Sequence, residues 1–321
     1  MQDTLFQDGL ESATRVGTVA MNAYREAVRA RILHGLLGAA LATCAYSLLV
    51  ATLSLHQEAR VVADLGAASI SLYAVLVAIL LGATSLYREL ELKTIFPILA
   101  RPIRRHEYLI GKYFGTLATL LVFVMIDSAA VLALLAFESN ADPWTVGLTL
   151  AGAAAILVVA LIRAKYTRVF VLIPWSAALL AAMIFLSAPA GAERQLVLAS
   201  AVLTTCETAI IAAVATLFAS FSSPFLTALF TLGVFIVGRS ADTLAKLPGR
   251  MFGDPMRVGG KILARVFPNL QIYVPPRPLL LGQVPATPTW PFVAESAAHA
   301  ACYAAVMLAL AILIFRKRDF L

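Results

Sequence analysis

The chain has 321 residues, of which 61% are apolar and 13% are charged, and its formal net charge is +7. Soluble domains carry roughly 25% charged residues, so this composition excludes an ordinary soluble protein and leaves no room for a large soluble domain. The cations cluster at the ends of apolar runs, which indicates membrane orientation and not nucleic-acid binding. We therefore expect an integral membrane protein.

The N-terminal segment, residues 1–31, is polar. It contains no short apolar core followed by a small-residue cleavage site, so we expect no cleaved signal peptide. Within it, residues 24–32 place three arginines beside apolar side chains. This pattern predicts a short amphipathic helix at the inner membrane interface.

Apolar runs long enough to cross the ~30 Å hydrocarbon core recur along the rest of the chain. Helices are the expected scaffold, because they satisfy their own backbone polar groups in lipid. The predicted fold is an all-α polytopic bundle of about 6–8 spans. The predicted membrane segments are 32–55, 69–87, 113–137, 145–162, 169–189, 196–221, 225–240 and 296–315.

The segment 225–240 is the least certain of these. From Phe225 to Gly238 it covers only about 21 Å at 1.5 Å per residue. It is either a re-entrant hairpin with the preceding segment or a span that extends past Arg239, where Arg239 and Asp242 can pair on a helix. We favour the extended span, because a hairpin would put the basic C-terminal tail outside.

The distribution of Lys and Arg predicts that both termini are cytoplasmic. With that orientation, 16 of the 25 basic residues lie in inner connections, and the short outer connections hold only Arg60 and Arg194. The long connection 241–295 is then extracytoplasmic. It contains an amphipathic stretch at 258–267 and a proline-rich part that is either an ordered cap or a loose loop.

Residues 88–112 form a charged, proline-broken segment between two apolar runs. Residues 90–100 are predicted to form a docking helix whose apolar face fits a partner groove, with a break near Phe96 because Pro97 follows. Its carboxylates, Glu89, Glu91 and Glu107, can pair with cations of a partner or of this chain. The alternative is an ordinary positively charged loop facing water and headgroups.

This segment resembles the signature of ABC-2 type transporter permeases, which combines Glu-x-Glu-x-x-Thr, Leu-x-Arg-Pro-Val/Ile and Arg-x-Glu-Tyr/Phe-x-x-Gly-Lys. The matching residues are Glu89, Glu91, Thr94, Leu99, Arg101, Pro102, Ile103, Arg105, Glu107, Tyr108, Gly111 and Lys112. A weaker block covers 215–239. One departure is Lys93, where the family usually has a small residue.

The resemblance implies a type V exporter-like fold in a bacterial inner membrane and a subunit that couples ATP hydrolysis by a separate ATPase to transport. It also implies a second permease, as an identical copy or a paralogue. The coupling residues it suggests are Glu89, Glu91, Leu92, Thr94, Ile95, Phe96, Leu99, Arg101, Pro102, Arg105 and Glu107. ABC-2 permeases usually have six spans, so 145–189 looks like an insertion.

The chain lacks a phosphate-binding loop of its own. Gly111-Lys112 has His106 where the loop needs its first glycine, and no Ser or Thr follows. We therefore expect no enzyme and no cofactor in this chain, with ATP and Mg²⁺ held by the partner. No His, Cys and carboxylate spacing suggests a metal site.

Two carboxylates, Asp127 and Glu207, fall inside predicted spans, where a charge is costly. They belong either to a substrate route or to helix packing, and we favour packing.

Two further functions of the chain stay open. The chain can be a scaffold that delivers ATPase motion to an extracytoplasmic partner through 241–295, or an intramembrane enzyme that uses Asp127 or Glu207.

Overall fold

The computed structural model describes residues 2–54, 57–91, 104–139, 141–164, 167–246, 258–263, 267–275 and 289–317. Within these ranges the regular elements are helices. In chain order they are α1 (Gln2–Val28), α2 (Arg31–Ala51), α3 (Glu58–Glu91), α4 (Arg105–Glu138), α5 (Pro143–Arg163), α6 (Leu172–Leu186), α7 (Ala192–Ala219), α8 (Pro224–Arg239), α9 (Ala241–Ala245), α10 (258–263) and α11 (Thr289–Lys317). Two 3-10 turns, Ala188–Ala190 and Leu270–Tyr273, complete the set.

Six helices in the described part of the chain are long and apolar enough to cross a membrane: α2, α3, α4, α5, α7 and α11. Two shorter apolar helices, α6 and α8, account for the remaining predicted segments. The expected all-α membrane bundle of about 6–8 spans is therefore confirmed. The two segments that looked like an insertion, 145–162 and 169–189, form α5 and α6.

The N-terminal helix is longer than predicted. We expected a short helix at 24–32, but α1 runs from Gln2 to Val28 and the chain leaves the helix at Arg29 and Ala30, where Ala30 is extended (φ −66°, ψ 124°). Residues 2–23 are amphipathic as a helix, with Ala13, Val16, Ala20 and Ala23 three or four positions apart, but the sequence analysis treated 1–31 as a polar segment and limited the helix to 24–32. Contacts with the start of α4, described below, stabilise it.

One compact unit of the chain consists of Met1–Ala23, Ala78–Leu117 and Cys206–Leu321. Its core includes a cluster of Tyr108, Leu109, Ala219, Ala311 and Phe315, all buried. The rings of Tyr108 and Phe315 stack with their centroids 6.5 Å apart. This cluster joins the beginning of α4 to the ends of α7 and α11.

The other compact unit consists of Tyr24–Val77 and Ala118–Thr205. Here Tyr24 stacks on Phe170 at 5.8 Å, and its hydroxyl donates to the Val169 carbonyl oxygen at 3.2 Å. Burial raises the pKa of Tyr24 to about 12, so the hydroxyl keeps its proton and acts as a donor. The end of α1 is thereby attached to the connection that precedes α6.

Candidate functional site

The structure describes part of the predicted coupling segment. Helix α3 continues to Glu91, so Glu89 and Glu91 lie in its last turn. Arg105 and Glu107 lie in the first turn of α4. The remaining predicted residues, Leu92, Thr94, Ile95, Phe96, Leu99, Arg101 and Pro102, lie outside the described residues, so the docking helix stays a prediction.

Glu107 is completely buried and has three polar contacts. Its Oε2 accepts the backbone N–H of Arg104 at 2.9 Å, as a glutamate in the first turn of a helix does when it caps the helix start. The Ser12 hydroxyl donates to Oε1 at 2.7 Å, and the Arg15 guanidinium lies 3.3 Å from Oε2. One carboxylate therefore caps α4 and binds α1.

The next turn of α4 brings α1 even closer. Gly111 lies against Val16 and Val19, and a Cβ at this position would lie 2.6 Å from the Val19 Cβ and 2.9 Å from the Val16 carbonyl oxygen. Only a residue without a side chain allows this approach. Since Gly111 is four residues after Glu107, both lie on the same face of α4.

Other faces of the same two turns hold two more helices. The Arg105 guanidinium donates to the Arg316 carbonyl oxygen of α11 at 3.1 Å, beside the Tyr108–Phe315 stack. The buried Lys112 ammonium donates to the Ser85 carbonyl oxygen of α3 at 3.3 Å. We call Arg105, Glu107, Tyr108, Gly111 and Lys112 the α4 hub, because they join α1, α3 and α11 to the start of α4.

The hub changes the interpretation of Glu107. From sequence, this carboxylate could pair with a partner's cation or with Arg101, Arg104 or Arg105. In the structure it faces inward, its side-chain cation is Arg15, and Arg104 contributes its backbone N–H. The exposed side chains of this turn are those of Arg104 and His106.

Ser12 and Arg15 are the residues of this site that the sequence analysis missed. Both lie in a polar segment with no motif. The available signal was Glu107 itself, because a glutamate three residues into a helix that follows a proline turn commonly caps that helix.

A second polar site lies where α7 and α8 meet. Glu207, which is fully buried, lies 3.2 Å from the guanidinium of Arg239, whose side chain is 26% exposed. The expected pair between Arg239 and Asp242 is not what the structure shows: Asp242 accepts a hydrogen bond from the Asn269 amide at 2.9 Å. The physical reason is that α8 ends at Arg239, so Asp242 belongs to a separate short helix, and a desolvated Glu207 needs a cation.

Residues 267–275 of the long connection pack against this site. The Pro268 carbonyl oxygen and the Leu270 side chain lie so close to Gly238 that a Cβ there would be 2.6 Å from the former and 2.9 Å from the latter. The Tyr273 hydroxyl lies 2.8 Å from Nδ1 of His299. Burial, assisted by nearby Cys206 and Glu207, raises the pKa of Tyr273. Residues 267–275 are thus packed against α8, while 276–288 lie outside the described residues, so the choice between an ordered cap and a loose loop stays open for the proline-rich part.

Asp127 has a different setting. It is fully buried in α4, and the Cys44 thiol of α2 donates to its Oδ1 at 3.3 Å. Its Oδ2 is buried without a hydrogen-bond partner among the described residues. The Asp127 carboxylate thus has a polar contact with a thiol, which is a weak and uncharged donor.

Comparison with known proteins assigns the chain to a family. The family model described as "ABC-2 family transporter protein" matches residues 4–320, which is nearly the whole chain. The comparison with curated proteins gave no match. The match agrees with the helical membrane bundle and with the signature residues gathered in the α4 hub. The chain therefore belongs to the ABC-2 family of transporter proteins and is the membrane permease subunit of an ABC transporter.

Proposed function

We propose that this permease couples ATP hydrolysis by a partner ATPase to export. In this proposal residues 88–112, the docking segment, bind the ATPase, and the α4 hub relays their motion into the membrane helices. The observation that carries the proposal is the burial of Glu107 between the start of α4 and α1. The docking segment 88–112 ends in the hub, so a force applied to the segment acts on α4 directly.

A relay must be stiff and must be attached to what it moves. Helix α4 is continuous over 34 residues, which is about 51 Å at 1.5 Å per residue. Three other helices are attached to its first two turns: α1 by the buried Glu107 and the close contact at Gly111, α11 by the Tyr108–Phe315 ring stack, and α3 by the Lys112 hydrogen bond. Packed interfaces of this kind move as bodies and do not deform smoothly.

Exposed residues next to the α4 hub supply a surface for the ATPase. Arg104 and His106 are exposed, whereas Glu107, Tyr108 and Leu109 beside them are buried. In this proposal the exposed pair and the segment 89–103 contact the ATPase, while Glu107 transmits the motion. The excess of Lys and Arg on one side supports cytoplasmic termini in an inner membrane. By family analogy, a second permease completes the transporter around a two-fold axis.

Docking is tested by co-purification of the full chain with its candidate ATPase in mild detergent. The charge reversals Glu91→Lys and Arg101→Glu, made together, are expected to abolish ATPase binding while the permease still elutes as a folded, monodisperse protein. Unchanged binding would remove these two charges from the docking surface. A wild-type permease that binds no ATPase would contradict the proposed coupling as a whole.

Transmission is tested separately with Glu107→Gln, which keeps the shape of the side chain but removes its charge. The ATPase is expected to bind at the wild-type level. Permease-dependent stimulation of ATP hydrolysis should fall roughly tenfold or more, because a hydrogen bond to a charged group contributes about 1.5–3 kcal/mol. The matched control is Glu11→Gln, which removes the exposed partner of the same Arg15 at 3.6 Å. Equal effects of the two variants would argue against the relay.

A further inference from the structure

An apolar groove of about 560 Å³ runs between α5 and α6. Helix α5 lines it with Thr149, Gly152, Ala153, Ile156 and Ala160, and α6 lines it from Val171 to Ala182 at intervals of one or three residues. This spacing places the lining residues of each helix on one face. Small residues, among them Gly152, Ala153 and Ala178, give the groove its depth.

The surface of the groove is hydrocarbon. Two of its described lining residues carry a polar side-chain group, and both groups bind backbone oxygens. The Thr149 hydroxyl donates to the Thr145 carbonyl oxygen at 2.7 Å, and the Trp175 indole N–H donates to that of Ala153 at 2.9 Å. No polar ligand group is therefore needed to satisfy them, and an aliphatic chain fits the lining.

The length of the groove matches one leaflet of a bilayer. From Thr149 to Ala160, and again from Val171 to Ala182, eleven steps of 1.5 Å give about 16 Å. Half of a ~30 Å hydrocarbon core is about 15 Å. Val146 is the one buried residue of helix α5, so the groove lies on the outer surface of the chain, where lipid can reach it.

Basic residues lie close in sequence to the end of the groove that is formed by Ala160 and Val171. Arg163 follows Ala160 by three residues and Arg168 precedes Val171 by three, and both are exposed. The guanidinium of Arg25 lies 5.0 Å from the ring centre of Phe170, the residue next to Val171. A phosphate group placed here would meet positive charge and leave its acyl chain beside the groove.

We propose that this groove holds one acyl chain of an anionic phospholipid from the leaflet that faces the α5–α6 connection, with its phosphate near Arg163 and Arg168. A helix of a second permease copy is the competing occupant. The lipid is favoured because the groove ends after one leaflet and is basic at the headgroup end, whereas a helix–helix interface would continue along the span without a phosphate-binding end.

The natural reporter is Trp175, which lines the groove. Replacing the exposed Trp144 and Trp290 by Phe leaves Trp175 as the fluorophore of the full chain. The protein is reconstituted in phosphatidylcholine vesicles that contain a few per cent of phosphatidylglycerol brominated on its acyl chains. Specific binding predicts quenching that saturates at this low fraction, whereas brominated phosphatidylcholine at the same fraction should quench only weakly.

Glycine positions on α5 provide a matched pair of variants. A Cβ at Gly152 or at Gly147 meets no atom within 4 Å, and Gly152 lines the groove whereas Gly147 does not. Gly152→Leu should therefore fill the groove and raise the half-saturating lipid fraction at least tenfold, with Gly147→Leu unchanged. Ala178→Leu should repeat the result from the α6 side. Size-exclusion profiles identify any variant that fails to fold.

The charged end is tested with Arg163→Gln and Arg168→Gln together. These should abolish the preference for phosphatidylglycerol over phosphatidylcholine and leave quenching by a fully brominated bilayer intact. Quenching that rises only in proportion to the brominated fraction and ignores Gly152→Leu would overturn the proposal. So would a Trp175 that stays unquenched in a fully brominated bilayer, the result expected if a second copy covers the groove.

Discussion

Each of the two compact units contains a fully buried carboxylate far from the ends of a membrane helix, Glu207 in one unit and Asp127 in the other, and the two are held in different ways. Glu207 lies 3.2 Å from a guanidinium, while Asp127 accepts a hydrogen bond from a thiol at 3.3 Å. A charge near the bilayer centre costs several kcal/mol unless it is paired. The contrast shows that a buried carboxylate within a span is paired with a cation in one place and accepts a hydrogen bond from a thiol in another.

The surroundings of the two sites extend the contrast. The Arg239 guanidinium that pairs with Glu207 also lies 5.8 Å from the ring centre of Phe235 and 3.5 Å from the Leu270 carbonyl oxygen. The ion pair thus joins α7, α8 and the segment 267–275. Near Asp127, Cys44 connects α4 to α2 and lies 3.9 Å from the Ser69 hydroxyl of α3. Losing the first site should loosen three elements, and losing the charge of the second should do little.

The largest effect is expected from Glu207→Gln. It leaves the Arg239 guanidinium without its buried anion, and breaking such a pair from one side costs about 3–5 kcal/mol. We expect the free energy of unfolding in detergent to fall by about 3 kcal/mol, the lower end of this range, because Arg239 is partly exposed and water can stabilise its charge. Arg239→Gln and the double variant complete the cycle. If the two single effects simply add in the double variant, the two groups are not coupled and the ion-pair interpretation fails.

Two close glycine contacts, one in each unit, should differ by less. Gly238→Ala places a methyl group 2.6 Å from the Pro268 carbonyl oxygen, which is backbone, whereas the nearest atoms to a methyl group at Gly66 all belong to the Val131 side chain. Overpacking costs about 1–3 kcal/mol, so we expect about 2 kcal/mol for the first and about 1 kcal/mol for the second. Thermal unfolding of both variants measures this, with Gly35→Ala, which meets open space, as the control. The reverse order would mean that 267–275 gives way easily.

The smallest effect is expected from Asp127→Asn. The amide oxygen can still accept the Cys44 thiol, so stability should fall by less than about 1 kcal/mol. Permease-dependent ATP hydrolysis in the complex should stay at the wild-type level. A large loss of hydrolysis in a variant of normal stability would show that this carboxylate acts in transport, and would remove the contrast with Glu207 drawn above.

Some of the architecture could be predicted because it depends on local sequence. Each apolar run was identified by its length, and each became part of a helix, including the short α6 and α8. Helices α3, α4 and α11 begin at Glu58, Arg105 and Thr289, well before the predicted starts at 69, 113 and 296, because a helix can continue from an apolar run into polar residues that hydropathy leaves out. The end of α8 was predicted less well. We favoured a span that continues past Arg239, but Ser240 leaves the regular helix (φ −96°, ψ 6°) and Arg239 turns to Glu207. Hydropathy does not detect a helix end that a distant carboxylate stabilises.

The sequence by itself determined that the chain is a helical membrane protein, and its signature residues indicated the ABC-2 family, because apolar length and motif spacing are properties of the chain alone. Tertiary structure decided which partner each polar residue has. Glu107 binds Ser12 and Arg15 across 95 and 92 positions of sequence, and Glu207 binds Arg239. Burial forces such groups to find partners, but only packing brings a particular partner within reach, since contact in space does not follow from distance along the chain.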